Sequence, residues 1–415
     1  MKFRRETLDN GLEVVAEVND EAHSMGIGYF VRTGSRDESV EVAGVSHFLE
    51  HMLFKGTPAR SADDVNREFD ELGAHYNAFT SEESTVYYAS VLPEYQHRVV
   101  DLLSDIMRPS LRQEDFETEK QVILEEIQMY ADQPPFGMDD RIKELHFGDH
   151  PIARSVLGTI QSVEALSVGQ MRDYFERRYS AANVFVAASG RVDFEGLVEQ
   201  LHQTCSGWRR GDAARATPPS RSHPSCECVH RPEATQQYVL QLGDAPAAED
   251  DSRYAAKVLA TMLGDDSGSR LYWELIDTGL AETASLGHYE YQGVGMFFLW
   301  LSCGAEEAQD NLDRITAAQQ LAEAEGFRPE ELMQAKSKLK ARVVLGSERP
   351  RNRLFNVGGN WLQRRKHRTV EEDLAAVDSV TLDDVSEVLR RYPLTKRTTA
   401  AIGPLETMSD PASAR

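Results

Sequence analysis

Two histidines four residues apart, with a glutamate between them, occur in the stretch HFLEH as His47, Glu50 and His51. On a helix, side chains at positions i and i+4 lie on one face, so both imidazoles can reach one zinc ion at about 2.0 to 2.1 Å. Glu50 points toward the same place and can take a proton from a water at the metal and pass it to a leaving amine. The pattern therefore predicts a catalytic site with one Zn²⁺ per chain, and the alternative for the motif alone is a chance pairing on an exposed helix.

A catalytic zinc ion needs a third protein ligand, and the segment FETEKQVILEEIQMY at 116–130 offers two glutamates for that role. Glu119 and Glu126 follow helical spacing on a mostly apolar face, where a carboxylate needs a partner such as a metal or a histidine. The two lie seven residues apart, about 10 Å along a helix, so only one can be a direct ligand. We assign Glu126 to the metal and Glu119 to a supporting position, where it orients a histidine.

These residues resemble the inverted zincins, the HxxEH metallopeptidases, and specifically the pitrilysin and insulinase family in its shorter branch with the mitochondrial processing peptidases. The resemblance covers nearly the whole chain. It is carried by the segments HFLEHMLFKGT, GAHYNAFTSEESTVYY, ETEKQVILEEI and YSAANVFVAASG.

The resemblance implies an α+β fold of two similar domains that enclose a chamber, with zinc on the first domain. It also implies endopeptidase activity on extended or unfolded peptides. The residues Asn77 and Ala78 match the edge-strand segment that binds the substrate backbone in this family, a case of strand addition. Glu126 matches the family's third ligand, and Glu119 matches its second acidic position.

One segment departs from the family pattern. Active relatives carry an Arg and a Tyr in a second-domain segment like REKRGLAY, whereas the segment here is ELIDTGLAET, with Glu282 at the Tyr position. Arg270, Tyr289 or Tyr291 are candidates to replace the pair. Two alternatives to a self-sufficient enzyme therefore stay open: a scaffold or regulatory homologue without activity, and a catalytic subunit that needs a partner chain.

The elements that position these residues occur twice along the chain. At 415 residues the chain is too long for one hydrophobic core, and its strand and helix patterns restart after a Pro-rich segment. Placing Met52 over Met262 aligns HFLEH with a segment that has no metal ligands. The repeat predicts an α+β protein with an N-terminal zinc-binding domain at 1–208, a linker at 209–228, a homologous domain at 229–405 and a disordered tail at 406–415. A single helix is expected over 162–179.

Composition limits the partners. Lys and Arg total 45 against 68 Asp and Glu, and the net charge of −23 argues against nucleic acid or an anionic membrane and favours a basic peptide as substrate. No apolar run is long enough for a membrane span, and no signal peptide is visible at the start of the sequence. The four cysteines show no metal spacing, so we expect reduced thiols and a cytoplasmic protein. The assembly is expected to be a homodimer or to include a heteromeric partner chain.

A second histidine pair imitates the motif. In HFGDH, His146 and His150 flank an aspartate, but Gly148 and the following Pro151 should end the helix between them. The two rings are therefore expected not to share a face, and we interpret both as structural residues.

Overall fold

The structure is a computed structural model that describes residues 1–133, 135, 137–211 and 214–410. Its strands, in chain order, are β1 (Lys2–Thr7), β2 (Glu13–Val18), β3 (Met25–Val31), β4 (His75–Thr80), β5 (Thr85–Val91), β6 (Val184–Gly190), β7 (Cys226–His230), β8 (Gln237–Ala245), β9 (Thr283–Tyr291), β10 (Val294–Cys303) and β11 (Arg397–Gly403). Its α-helices are α1 (Val45–Met52), α2 (Ala62–Glu71), α3 (Gln96–Ile106), α4 (Gln113–Asp132), α5 (Met138–Phe147), α6 (Ile160–Ala165), α7 (Val168–Arg178), α8 (Phe194–Cys205), α9 (Arg253–Gly264), α10 (Ala308–Glu325), α11 (Pro329–Ser347), α12 (Pro350–Arg364), α13 (Val370–Ser379) and α14 (Leu382–Arg391).

The first compact unit comprises Met1–Gln128, Arg154–Ala216 and Leu345–Arg368. Its sheet has the strand order β1-β2-β6-β3-β5-β4, in which β2 and β6 are parallel and the other neighbours are antiparallel. Helices α1 and α4 both pack in the core on this sheet, and the rings of Phe48 and Phe116 stack between them with centroids 4.7 Å apart. This stacked pair fixes the two helices that carry the predicted metal ligands side by side.

The second compact unit comprises Met129–Ala153, Thr217–Val344 and Thr369–Arg415, within the described residues. Its sheet has the order β7-β11-β8-β10-β9, with β7 and β11 parallel and the other neighbours antiparallel. This order and its strand directions match β2-β6-β3-β5-β4 of the first unit. The prediction of an α+β protein built from a repeated sheet and helix unit is therefore confirmed.

Both units are discontinuous in sequence, whereas the division expected at 208 and 229 is contiguous. Helix α12 packs on the first sheet, where Leu354 and Trp361 join a cluster with Phe30. A side chain at Gly358 would collide with the Phe30 ring, so this glycine permits the close approach. Helix α5 similarly packs on the second sheet. Each of these two helices therefore covers an apolar face of a sheet whose strands come from the other half of the chain.

Two boundary predictions need correction, in addition to the tail described below. The linker expected at 209–228 ends earlier, because Cys226–His230 forms β7 beside β11. The helix expected over 162–179 is two helices, α6 and α7, because the side chain of Ser167 caps the start of α7.

The disordered tail expected from 406 is wrong as far as Asp410. The carboxylate of Asp410 is buried and accepts hydrogen bonds from Arg397 at 2.8 and 3.0 Å, and Met408 packs on the core. Residues 411–415 lie outside the described residues. Among the helices that the structure describes, none combines the length and the apolar composition that a bilayer crossing requires.

Candidate metal centre

Helix α1 presents its two histidines on one side and its apolar residues on the other. Val45, Phe48, Leu49 and Met52 are buried in the core of the first unit. The imidazoles of His47 and His51 lie one turn apart, with ring centroids separated by 4.7 Å. The two histidines therefore share one face of the helix, as their i and i+4 spacing predicts.

Glu126 of α4 faces this pair. Its Oε2 lies 3.8 Å from Nε2 of His47 and 3.9 Å from Nε2 of His51, and one donor atom of each of the three residues lies within 4.8 Å of the others. Two ligands of one tetrahedral zinc ion, each about 2.0 to 2.1 Å from the metal, are separated by about 3.4 Å. The two nitrogens and one carboxylate therefore fit a zinc ion with a fourth position left for water or substrate.

Glu119 lies outside that set of donors. Its Oε1 is 2.8 Å from Nδ1 of His51, the ring nitrogen that points away from Glu126, and its Oε2 is 2.5 Å from Nζ of Lys55. The structure thus places the two candidate carboxylates differently, Glu126 with both imidazoles and Glu119 behind one of them. Carboxylates in the latter position orient a ligating histidine and fix its tautomer.

The two histidines differ in electrostatic environment. Burial, with a smaller contribution from neighbouring His51, lowers the pKa of His47 to about 4, and among the described residues its Nδ1 has no hydrogen-bond partner. Burial also works to lower the pKa of His51, but the hydrogen bond and charge of Glu119 raise it overall. Burial opposes ionisation of Glu119, but its contacts with His51 and Lys55 lower its pKa overall. A proton therefore competes with a metal mainly at His51.

Glu50 lies on the same helix and is held by a residue that the sequence reasoning missed. The hydroxyl of Thr80, at the end of β4, donates to Glu50 Oε2 over 2.7 Å. Burial raises the pKa of Glu50, and the Thr80 hydrogen bond partly opposes that rise. Thr80 lies in the segment NAFT, next to the predicted substrate-binding residues, but its spacing from Glu50 does not indicate a contact. The pairing of β4 with the sheet brings Thr80 to α1.

Asn77 and Ala78 lie in β4, at the edge of the first sheet. They pair with Tyr88 and Tyr87 of β5, and no other described strand pairs with β4. The backbone N–H of Ala78 donates to the Asn77 side chain over 2.9 Å. Backbone groups on such an edge are the ones that an added strand uses.

The prediction that the helix ends between the two histidines of HFGDH is confirmed. His146 is fully buried, with Nδ1 at 2.9 Å from the Thr398 hydroxyl and Nε2 at 3.3 Å from Asp244. Helix α5 ends at Phe147, and Nε2 of His150 is 3.0 Å from the carbonyl oxygen of Pro218. The two imidazoles therefore serve different contacts.

The second unit contains the candidates to replace the family's Arg and Tyr. Within the described residues, the three-residue group of α1 and α4 is the one cluster of potential metal ligands. Arg270 is committed to Glu331, to which it donates over 2.8 and 3.1 Å. Tyr289 is 51% exposed and, with Arg342, lines a pocket of about 490 Å³ in the second unit. Of the proposed replacements, Arg270 is therefore occupied and Tyr289 is accessible.

Comparison with known proteins identifies the family. The family model described as insulinase (peptidase family M16) matches residues 13–160, and the model described as peptidase M16 inactive domain matches residues 165–339. An uncharacterized zinc protease from Mycobacterium tuberculosis is 36% identical over 97% of this chain and 93% of its own length. The chain belongs to peptidase family M16. The family resemblance read from the sequence is thereby confirmed.

A further relative and two solved structures extend the likeness. An uncharacterized zinc protease from Bacillus subtilis is 30% identical over 98% of this chain and 99% of its own length. A protease from Helicobacter pylori has a TM-score of 0.88 at 22% identity and covers 97% of this chain and 99% of that one. A peptidase M16 inactive domain from Pseudomonas fluorescens has a TM-score of 0.91 at 17% identity, with 99% of both chains covered. At these identities the solved structures establish the fold alone.

Proposed function

We propose that this protein is a zinc-dependent endopeptidase that hydrolyses peptide bonds in extended or unfolded peptides. The observation that carries the proposal is the convergence of His47, His51 and Glu126, with the Glu50 carboxyl on the same helix as the histidines. Membership of the M16 family and the zinc protease names of the relatives support it.

His47, His51 and Glu126 would hold the metal, and Glu119 would keep the His51 ring in place. A bound zinc ion supplies a Lewis acid for the scissile carbonyl and lowers the pKa of water to about 7. Glu50 accepts the proton that water loses as its oxygen bonds to the carbonyl carbon. Glu50 then returns this proton to the amine nitrogen as the C–N bond breaks. Thr80 orients the Glu50 carboxyl for both transfers.

The substrate is proposed to bind along β4 as an added strand, with Asn77 and Ala78 contacting its backbone. Such pairing reads the backbone rather than the side chains, so it suits peptides that lack stable structure of their own. The net charge of −23 motivates a preference for basic peptides. A cytoplasmic location is part of the proposal, supported by four cysteines that are all unpaired.

A second candidate is a subunit that depends on another chain, or a homologue without activity. It is favoured by Glu282 at the position of the family's second-domain Tyr and by the commitment of Arg270 to Glu331. A self-sufficient enzyme, such as a homodimer, would cut peptides as a purified chain. Light scattering on the same preparation separates a homodimer from a chain that lacks its partner.

The deciding experiment is cleavage of a quenched fluorescent basic peptide by the zinc-loaded protein, run beside Glu50→Gln with zinc content measured in both. Cleavage by the wild type and none by a zinc-containing variant supports the peptidase. Zinc in both without cleavage supports the second candidate. A parallel acidic peptide tests the charge preference, which equal cleavage rates at low salt would remove.

A further inference from the structure

The N-terminus of α1 has an unusual cap. Residue 44 is a glycine with φ of 91°, and a Cβ there would lie 2.6 Å from the carbonyl oxygen of Leu157. The backbone and the space around it both demand glycine, so this position cannot offer the side-chain oxygen that usually accepts hydrogen bonds from the first turn. The first turn of α1 therefore needs an acceptor from elsewhere.

Glu38, six residues earlier, supplies that acceptor. Its carboxyl oxygens accept from the backbone N–H groups of Gly44 and Ser46, each over 2.7 Å. Glu38 is 3% exposed, and Arg154 donates to its backbone carbonyl. Both carboxyl oxygens are thus hydrogen-bonded to the helix start, and the backbone of Glu38 is itself held by Arg154.

The same turn is also held from α7. The hydroxyl of Ser46 lies 2.9 Å from that of Tyr174, which in turn lies 2.7 Å from Thr33. His47 follows Ser46 directly, in the first turn of a helix of eight residues. Terminal turns of short helices fray unless they are capped. The position of the His47 imidazole therefore depends on the contacts made by its neighbour.

We propose that Glu38 is a positioning residue for the metal centre, holding the first turn of α1 so that His47 stays aligned with His51 and Glu126. It touches neither metal nor substrate and acts through the backbone of residues 44 to 46. The inference rests on the proposed metal site and adds a residue outside the HxxEH motif to its machinery. Removing the carboxyl should weaken metal binding by about tenfold to a hundredfold, the range found when groups supporting a ligand are lost.

The test compares Glu38→Ala and Glu38→Gln with a matched loss of a helix cap far from the site, Thr381→Ala. The Thr381 hydroxyl accepts from the Asp384 N–H over 3.1 Å at the start of α14. For each protein we would measure the unfolding midpoint, the Zn²⁺ dissociation constant by chelator competition, and the visible absorption of the Co²⁺ form. We would also measure amide exchange at residues 46 to 48 without metal.

The proposal expects Glu38→Ala to bind Zn²⁺ at least tenfold more weakly, with weaker or altered Co²⁺ bands and faster exchange at 46 to 48. Glu38→Gln, which keeps one acceptor for the two N–H groups, should fall between Glu38→Ala and the wild type. Thr381→Ala should lose only stability. A Glu38→Ala protein with a lowered midpoint but the wild-type Zn²⁺ affinity and Co²⁺ spectrum would overturn the proposal, since the residue would then be an ordinary cap. If Glu38→Ala does not fold, Glu38→Gln decides at pH 9, where the wild-type carboxyl is ionised and accepts from both N–H groups whereas the amide accepts from only one.

Failure of the proposed function gives a different result. A wild type that binds Zn²⁺ but cuts no peptide rejects the peptidase, while the metal readouts still decide the role of Glu38. A wild type that binds no metal rejects both.

Discussion

Nδ1 of His51 and Oε1 of Glu119 are 2.8 Å apart, and this contact gives the two glutamates on α4 different roles. It occupies the ring nitrogen that faces away from Glu126, so Nε2 is the atom left for a metal. It also raises the pKa of His51, whereas burial lowers that of His47 to about 4. One carboxylate therefore sets both the tautomer and the proton affinity of one candidate ligand.

Glu119→Gln should weaken Zn²⁺ binding about tenfold to a hundredfold at pH 8, because His51 loses its orienting carboxylate. The pH dependence should move as well. Zn²⁺ must displace the His51 proton, so affinity falls as pH drops through the raised pKa of that ring, and the variant lowers this pKa. The midpoint of the fall should shift to lower pH in a titration of Zn²⁺ affinity between pH 5.5 and 8. Glu117→Gln, an exposed neighbour on the same helix, is the control; equal curves for all three proteins would refute the role of Glu119.

Glu50→Gln should keep its zinc and lose cleavage by about a hundredfold to ten-thousandfold, since the amide cannot accept the proton from water. Single-turnover cleavage with measured metal content checks this. Glu125→Gln, on the exposed side of α4, should cleave at the wild-type rate. A zinc-loaded Glu50 variant that cuts as fast as wild type would assign proton transfer to another group.

Thr80→Val should move the acid limb of the pH profile of kcat upward by about one to two pH units, because a hydrogen bond to a charged group contributes about 1.5 to 3 kcal/mol. The sign follows from Glu50, whose pKa is already raised by burial and which must be ionised to act as a base. Loss of the donor raises that pKa further, so less base is present at low pH. Thr80→Ser keeps the hydroxyl and should restore the profile. An unshifted limb in Thr80→Val would show that the contact has no influence on the base.

Ala78→Pro should raise KM for long peptides while zinc content stays unchanged. The substitution removes a backbone N–H from an edge strand, a place where proline is tolerated structurally. The measurement uses a series of peptides, each N-methylated at a different backbone position. If the peptide pairs as a strand, methylation at every second position should lower its affinity. Unchanged KM for the variant, with no alternation among the peptides, would move the substrate away from β4.

The sequence was informative where geometry is local. Helical spacing alone predicts that His47 and His51 share a face and that only one of Glu119 and Glu126 can join them, because periodicity in a helix fixes direction. Thr80 and Glu38 were missed because their partners come from strand pairing and loop packing, which no spacing encodes. The packing of α5 on the second sheet and of α12 on the first was not predicted, for the same reason. The pattern of an amphipathic helix shows which of its faces is buried but not which sheet buries it.

The acceptor role of Glu38 also predicts how stability changes with pH. Burial raises the pKa of this carboxyl from 4.5 to about 8, against the opposing hydrogen bonds from Ser46 and Gly44 and the charge of Arg154. Tyr174 and Tyr179 are also close enough to interact with its charge. The folded state therefore holds a proton that the unfolded chain gives up near pH 4.5. The stability that this proton provides is fully present below pH 4.5 and is lost progressively up to about pH 8.

Glu38→Gln removes the titration, so its unfolding midpoint should fall less than that of the wild type between pH 5 and pH 8.5. Thermal unfolding in the presence of a chelator measures this without interference from metal binding. The quantity to compare is the slope of the unfolding midpoint against pH, because the variant can differ in stability from the wild type at any one pH. Parallel curves for the two proteins would mean that Glu38 does not change its protonation on unfolding in this range. The two backbone N–H groups and the helix start would then outweigh the desolvation of the carboxylate, since both favour its charged form.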